Sequence, residues 1–375
     1  MKKISQKVFI FIFALMILIP MVAVNTENEK VSETERRKLA PQPSIMKDGS
    51  VNSHVLEEYE AWIDDNIGFR AEMVEFNTKL MYHIFNKLPE NTNSILGKGK
   101  ELNYLEEDMV RDYQHINLHS KDELMSAAQG LQAISDYAKG KGKLLFYYQC
   151  WDKHSIYPEY VPDSIHQIGN ISKTDEIVDT FMKNTDVNVI SSKQELIDNK
   201  STYATYSVWG DATHWSPRGA YIGYRLLMDN INEVSGKQYK VLQEEDYDIV
   251  IEDEGSIVSG LHIEDDIERF DIKSPKAVKT NEKMTMLSED YRHSFRTNDA
   301  VDNDTRILII GDSYFNSFIV DDIAESFHET IMIWGDYLED AKAIIDEYDP
   351  DIIVIEAAER VDRTGSLMQS RVTFE

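Results

Sequence analysis

Ser313, His214 and Asp211 are the residue types of a nucleophile, its base and an acid that orients the base. Ser313 stands in Arg306 to Phe318, RILIIGDSYFNSF: an apolar strand-like run, a tight Gly311-Asp312 turn, then a serine where a helix can begin. The strand fixes the approach and Gly311 permits the sharp turn. The first N–H groups of the following helix have no partner inside it, so they can stabilise an oxyanion. The base is offered by Asp211-Ala212-Thr213-His214-Trp215, where an acid three residues before a histidine can turn the imidazole toward a distant hydroxyl. Together these residues suit acyl transfer through serine.

Each residue also has a plainer explanation. Gly-Asp-Ser is a common turn in which the serine caps a helix, Asp211 can be a turn residue after Gly210, and a single histidine is usually a surface or satisfied core residue. The strand before Ser313 and the helix-compatible sequence after it favour the nucleophile. Trp215 and Pro217 argue for a structured loop around His214. A metal site is the other chemical reading of Asp211 and His214, but zinc wants at least three protein ligands and no further histidine or cysteine stands near these two in the sequence. Glu244-Glu245-Asp246 and Glu264-Asp265-Asp266 lack the alternation and central glycine of a calcium loop and read as solvated acidic surface. No metal and no cofactor is expected.

The elements that must position these residues follow from the apolar pattern. The chain has 375 residues, enough for one large domain or two smaller ones. Lys2, Lys3 and Lys7 precede an uncharged stretch from Val8 to Val24, the pattern of an export signal or anchor over residues 1–25. The segment approaches spanning length and lacks a crisp cleavage site, so an uncleaved anchor is the expectation, with the rest of the chain outside the cytoplasm. A polar stalk over 26–50 follows. A domain over 51–375 opens with helices around Trp62 and from Ala71, then a glycine-turned hairpin from Ser94 to Tyr104.

From Lys121 the pattern alternates. Helix 121–139, strand 143–149 (KLLFYYQ), helix 173–183, strand 187–190 and helix 217–231 precede an acidic excursion over about 235–301. That excursion holds short strands at 247–251 and 255–258. Strand 306–310, helix 316–327, strand 330–334, helix 338–348 and strand 351–356 complete the series. Repeated strand–helix–strand units imply an α/β fold with a mainly parallel sheet between helices, whose ligands bind at the carboxyl ends of the strands. Formal net charge of −28 argues against a nucleic-acid partner. The single cysteine, Cys150, excludes an internal disulfide and reads as a buried thiol. Trp151-Asp152-Lys153-His154-Ser155-Ile156-Tyr157-Pro158 is either a sugar-lining loop or an ordinary connection.

The Gly311-Asp312-Ser313 turn, with Asp211 and His214 before it, resembles the SGNH (GDSL-like) esterases. The order, acid and histidine ahead of serine, is similar to the permuted branch of alginate-acetylation-like (AlgX/AlgJ-like) and DHHW exported proteins. Supporting residues are Glu35 to Pro41, Ile67 to Arg70, the Gly97 hairpin, Asp152-Lys153 with Ile156 to Glu159, His214 to Tyr221, and Glu359-Arg360. They span about residues 35 to 360. One departure stands out: the branch usually reads Asp-x-His-Trp, whereas here Ala212 fills that position. Asp211 lies one residue earlier, at the Asp-x-x-His spacing of ordinary SGNH enzymes.

The resemblance implies a flavodoxin-like three-layer sandwich and a Ser313-His214-Asp211 triad, with Asn316, Gly311, Trp215, Lys153 and Tyr157 as oxyanion or substrate positions. It further implies O-acetyl transfer to an extracellular polysaccharide, with a multi-pass membrane O-acyltransferase as donor. The same residues would serve an esterase that removes acetyl groups, and a degenerate site would leave a non-catalytic polysaccharide-binding component.

Overall fold

The computed structural model describes residues 2–25, 31–32, 37–47, 49–89, 94–104, 107–255, 258, 260–280 and 292–374. They group into two compact units, 1–92 with 256–263 and 93–255 with 264–375. The helices after residue 51 thus group with the N-terminal segment, and the α/β unit begins at the hairpin.

In the first unit a helix runs over Lys2–Val22 with Pro20 inside it. Its side chains from Val8 to Met16 are largely exposed, Phe9 and Met16 most of all. Among the described residues no helix is long and apolar enough to cross a membrane. The expected stalk falls partly outside the described residues; within it Val31–Ser32 pairs with Arg37–Lys38, and Met46–Lys47 with Ser50–Val51. Helices Val55–Asn66 and Arg70–Phe85 follow, broken around Gly68 as the pattern predicts.

The second unit opens with the antiparallel hairpin Ser94–Leu96 and Leu102–Tyr104. Its body is a seven-stranded sheet built from β1 (Leu144–Cys150), β2 (Asn188–Ser191), β3 (Val278–Lys279), β4 (Ser294–Thr297), β5 (Arg306–Gly311), β6 (Glu329–Trp334) and β7 (Ile352–Ala358), in the order β3-β4-β6-β5-β7-β1-β2. The pairs β6-β5, β5-β7, β7-β1 and β1-β2 are parallel, and β4 is antiparallel to β6. Helices α1 (Lys121–Gly140), α2 (Lys173–Asn184), α3 (Pro217–Ser235), α4 (Ala341–Tyr348) and α5 (Thr364–Phe374) complete the layers.

Continuous apolar strands belong in a sheet covered on both faces, because successive side chains point to opposite sides. Phe146, Tyr148, Ile307, Ile309, Ile352 and Val354 pack into one core with Tyr224, Leu227, Met228 and Ile231 of α3. Their neighbours Leu145, Tyr147, Leu308, Ile310, Ile353 and Ile355 pack into the other, with Leu131 and Ile134 of α1, Ile344 of α4 and Leu367 of α5. Each fully buried aliphatic side chain contributes about 1.5–3 kcal/mol. The three-layer α/β expectation is therefore met. Cys150 is a free, buried thiol.

Three local expectations need correction. The helix expected over 316–327 is a π-helical turn, Phe315–Ile319, followed by a short α-helix, Val320–Ala324. The wide turn buries Phe315 and Ile319 while leaving Phe318 against the His214 ring, at a centroid distance of 5.4 Å. The acidic excursion contributes β3 and β4 to the main sheet besides the hairpin Tyr247–Asp253/Asp266–Ile272; residues 256 and 257 of its expected strand at 255–258 lie outside the described residues. The acidic run around Asp265 is not all solvated surface, because Asp265 is 8% exposed.

Adjacent strands β5, β7 and β1 run parallel, so their carboxyl ends share one rim. They deliver Asp312-Ser313, Glu359-Arg360 and Trp151-Asp152 there.

Candidate active site

Ser313 begins the helical turn directly after β5, so its N–H lies in a first turn whose amides have no intrahelical acceptor. The turn is held from behind. Asp312 N donates to Glu356 Oε2 at 2.6 Å, and Asp312 Oδ2 accepts from Ala358 N at 3.0 Å. A Cβ at position 311 would stand 2.6 Å from Glu356 Oε2, so only glycine leaves room for this carboxyl. Burial, reinforced by the charge of Asp312, pushes the Glu356 carboxyl well above its ordinary range.

The histidine loop is fixed by the start of α3. Ser216 Oγ accepts from Gly219 N at 3.1 Å and Pro217 occupies the first turn, a standard helix opening. Trp215 is fully buried, and its ring fills space that a Cβ at Gly223 would invade at 2.5 Å. Upstream, Asp265 accepts from Trp209 N at 2.5 Å, from Gly210 N at 2.8 Å and from the Ser207 hydroxyl. Glu254 accepts from Asp211 N at 3.3 Å. Two acids of the excursion therefore brace the loop that carries Asp211.

His214 Nε2 lies 2.7 Å from Ser313 Oγ, and His214 Nδ1 lies 2.7 Å from Asp211 Oδ2. The other Asp211 oxygen accepts from Thr213 N at 2.7 Å, Thr213 Oγ1 at 2.6 Å and His214 N at 3.1 Å. Burial pushes the Asp211 carboxyl up, but the bond and charge of His214 and the Thr213 bonds outweigh it and hold the group well below the usual carboxylate range. An ionised Asp211 selects the tautomer with a proton on Nδ1, leaving Nε2 to accept the serine proton. The shifted acid thus reaches the imidazole from position 211, while Ala212 is buried.

Arg360 completes the cluster and was not assigned to the site by sequence. Its Nη2 lies 3.0 Å from His214 Nε2, and its Nη1 donates to Asp152 Oδ1 and, at 3.1 Å, to Thr213 O. Tyr314, buried beneath, places its hydroxyl 2.7 Å from Thr213 O, 2.8 Å from Trp151 O and 2.9 Å from Asp152 Oδ1. It also packs edge-on against His214 at 5.0 Å. The adjacency of Glu359-Arg360 to an apolar strand was the available signal, since residues after parallel strands face the shared rim.

The remaining sequence candidates sit differently. Asn316 is partly exposed on the π turn, its N–H donating to Asp312 O at 3.0 Å. Lys153 is buried, donating to Leu102 O at 2.6 Å and Val208 O at 3.2 Å, and burial pushes its ammonium down to about 8. It clamps the hairpin to the histidine loop instead of presenting charge to a substrate. Tyr157 bonds Thr205 Oγ1 at 3.0 Å and, with Tyr160, Tyr203 and Tyr206, lines a cavity of about 250 Å³ that includes none of the triad.

No protein-family model matches the sequence, and no curated protein sequence does either. Among solved structures, the chain is similar to Bacillus cereus PatB1 with a sulfonyl adduct, at TM-score 0.52 and 18% identity over 67% of this chain and 93% of that one. It also matches a DHHW family protein from Eubacterium siraeum, at TM-score 0.46 and 15% identity over 64% and 88% of the two chains. A third match is the O-acetyltransferase domain of Pseudomonas putida AlgJ, at TM-score 0.45 and 15% identity over 75% and 99%. At 18% identity the likeness to PatB1 is one of fold.

Proposed function

We propose that the chain is an O-acetyltransferase that carries an acetyl group on Ser313 and delivers it to a hydroxyl of a polysaccharide outside the cytoplasm. The observation that carries this reading is the continuous Ser313–His214–Asp211 chain, with 2.7 Å at each link. Ser313 Oγ attacks the carbonyl of the acetyl donor as its proton passes to Nε2, and Asp211 steadies the imidazolium that forms. The developing oxyanion meets the Ser313 N–H and Arg360, which turns from Nε2 once that nitrogen is protonated. Collapse breaks the bond to the donor, whose leaving group takes the proton from Nε2. A sugar hydroxyl then attacks the acetyl-serine, gives its proton to Nε2 and leaves as the ester, while Ser313 recovers that proton.

The basic N-terminal flank and the apolar segment behind it support export, the segment serving as a targeting signal. A multi-pass membrane O-acyltransferase would supply the acetyl group. Incubating the full-length chain with an acetyl ester donor and a glycan acceptor tests the reading. Ser313→Ala should abolish product. Acetylated sugar marks a transferase; acetate alone, with every acceptor tried, marks an esterase.

A further inference from the structure

Behind the Arg360 side of the site lies a second group of ionisable residues that acyl transfer does not use. Asp112 lies in the last turn of the short helix Glu107–Tyr113, His154 in the turn after β1, and Glu359 follows β7. All three are buried, at 4%, 4% and 2% exposure. One ligand atom from each lies within 4.8 Å of the others. His154 Nε2 is 3.7 Å from Asp112 Oδ2 and 3.8 Å from Glu359 Oε2.

These separations are too long for hydrogen bonds. A protonated imidazole between two buried carboxylates would close to about 2.7–2.9 Å, as His214 and Asp211 do at 2.7 Å in the same structure. Instead, both ring nitrogens of His154 and Oδ1 of Asp112 lack a hydrogen-bond partner. Among the described residues neither Asp112 nor Glu359 has a lysine or arginine partner; Arg360 pairs with Asp152, and Lys153 binds backbone carbonyls. Two buried carboxylates thus share only the His154 imidazole, which stands beyond hydrogen-bond reach of both, a costly arrangement.

We propose that Asp112, His154 and Glu359 bind one divalent transition-metal ion of the zinc or cobalt kind. Nitrogen and oxygen donors each about 2.0–2.2 Å from a common ion stand roughly 3.3–3.9 Å apart at ordinary coordination angles, the separation seen around Nε2. The donor set, one imidazole and two carboxylates, suits zinc and its neighbours; calcium and magnesium take oxygen ligands. Glu359 is oriented for the task, since its Oε2 accepts from Asp152 N at 2.8 Å and its Oε1 from Ser155 Oγ at 2.7 Å. The ion would tie the end of β7 to the turn after β1, the two segments that hold Arg360 and its partner Asp152. The ligands are 42 and 205 residues apart along the chain (154 − 112 and 359 − 154) and form no local motif.

The test uses the full-length chain in mild detergent, stripped with a chelator and titrated with Zn²⁺ or Co²⁺. One ion per chain by elemental analysis, a raised Tm and the visible bands of non-octahedral Co²⁺ are expected. Asp112→Asn and His154→Ala should each weaken binding by about a hundredfold or more, while His214→Ala leaves it unchanged. Absence of both cobalt bands and a Tm shift in the wild type would overturn the proposal, as would loss of the ion in His214→Ala alone. If His154→Ala does not fold, the near-isosteric Asp112→Asn and the stripped wild type decide the matter.

Discussion

Arg360 Nη2 stands 3.0 Å from His214 Nε2, the nitrogen that Ser313 Oγ approaches at 2.7 Å. A neutral Nε2 has one lone pair, so it accepts from the serine or from the arginine, not fully from both. Once Nε2 takes the serine proton, the guanidinium must turn away, and the nearest new negative charge is the oxyanion. Removing one oxyanion donor typically costs about 10²–10³ in turnover. Arg360→Ala should therefore lower turnover of an activated acetyl ester by about a hundredfold. Arg360→Lys should not restore it, because an ammonium cannot hold Asp152 and face Nε2 together. Wild-type rates in Arg360→Ala would remove the residue from the chemistry.

The carboxylate that meets His214 Nδ1 is that of Asp211, at 2.7 Å. Asp211→Asn should cost about 10³–10⁴ in turnover by favouring the wrong imidazole tautomer. Moving the acid with Asp211→Ala/Ala212→Asp should not rescue it, since Ala212 is buried and a carboxylate there lacks the Thr213 bonds. The folded carboxyl titrates below its unfolded value near 3.9, so its contribution to stability is complete above about pH 4 and is lost as pH falls further. Thermal melts of wild type and Asp211→Asn should differ by a constant amount from about pH 5 to 7 and converge in stronger acid. A gap that widens on acidification would reverse the sign and contradict the assignment.

The acidic excursion supports the active loop. Asp265→Asn weakens three hydrogen bonds, two of them to backbone amides just before Asp211. Charge-assisted bonds of this kind contribute about 1.5–3 kcal/mol. Urea unfolding should show a loss of that order, with turnover reduced about tenfold. Asp266→Asn, at an exposed neighbouring position, is the control and should be close to neutral. Equal behaviour of the two variants would return Asp265 to the surface.

Lys153 should matter to folding more than to chemistry. Lys153→Met removes two bonds to backbone carbonyls and leaves Leu102 O and Val208 O without this donor. A loss of about 1–3 kcal/mol is expected, with KM for an ester substrate changed less than threefold. A large rise in KM without a stability loss would restore its sugar-binding role.

The strands and the Asp211–His214 contact were legible because both are local. KLLFYYQ and RILIIG can only be strands buried on two faces, and Asp211 reaches His214 within one turn. What the sequence concealed depends on distant partners. Asp265 looked like solvated surface until the fold brought it to Ser207, Trp209 and Gly210. Arg360, four residues beyond the expected strand 351–356, had no assigned place in the site until parallel pairing of β5, β7 and β1 set it beside His214. Lys153 and Tyr157 had the right types for a sugar site, but Lys153 is taken up by carbonyls of the hairpin and the histidine loop, and Tyr157 lines a cavity apart from the triad. The π turn after Ser313 has no composition signal, and β4 is a four-residue strand inside a segment otherwise read as an excursion.

Every step of the proposed transfer passes through an acylated Ser313. Intact-mass and peptide mapping of the full-length chain, mixed rapidly with an activated acetyl ester, tests it directly. A single acetyl group is expected on the peptide carrying Ser313, formed within turnover time, discharged by an added glycan and missing in Ser313→Ala and His214→Ala. An unmodified Ser313, or an acetyl group that forms equally fast in His214→Ala, would contradict it.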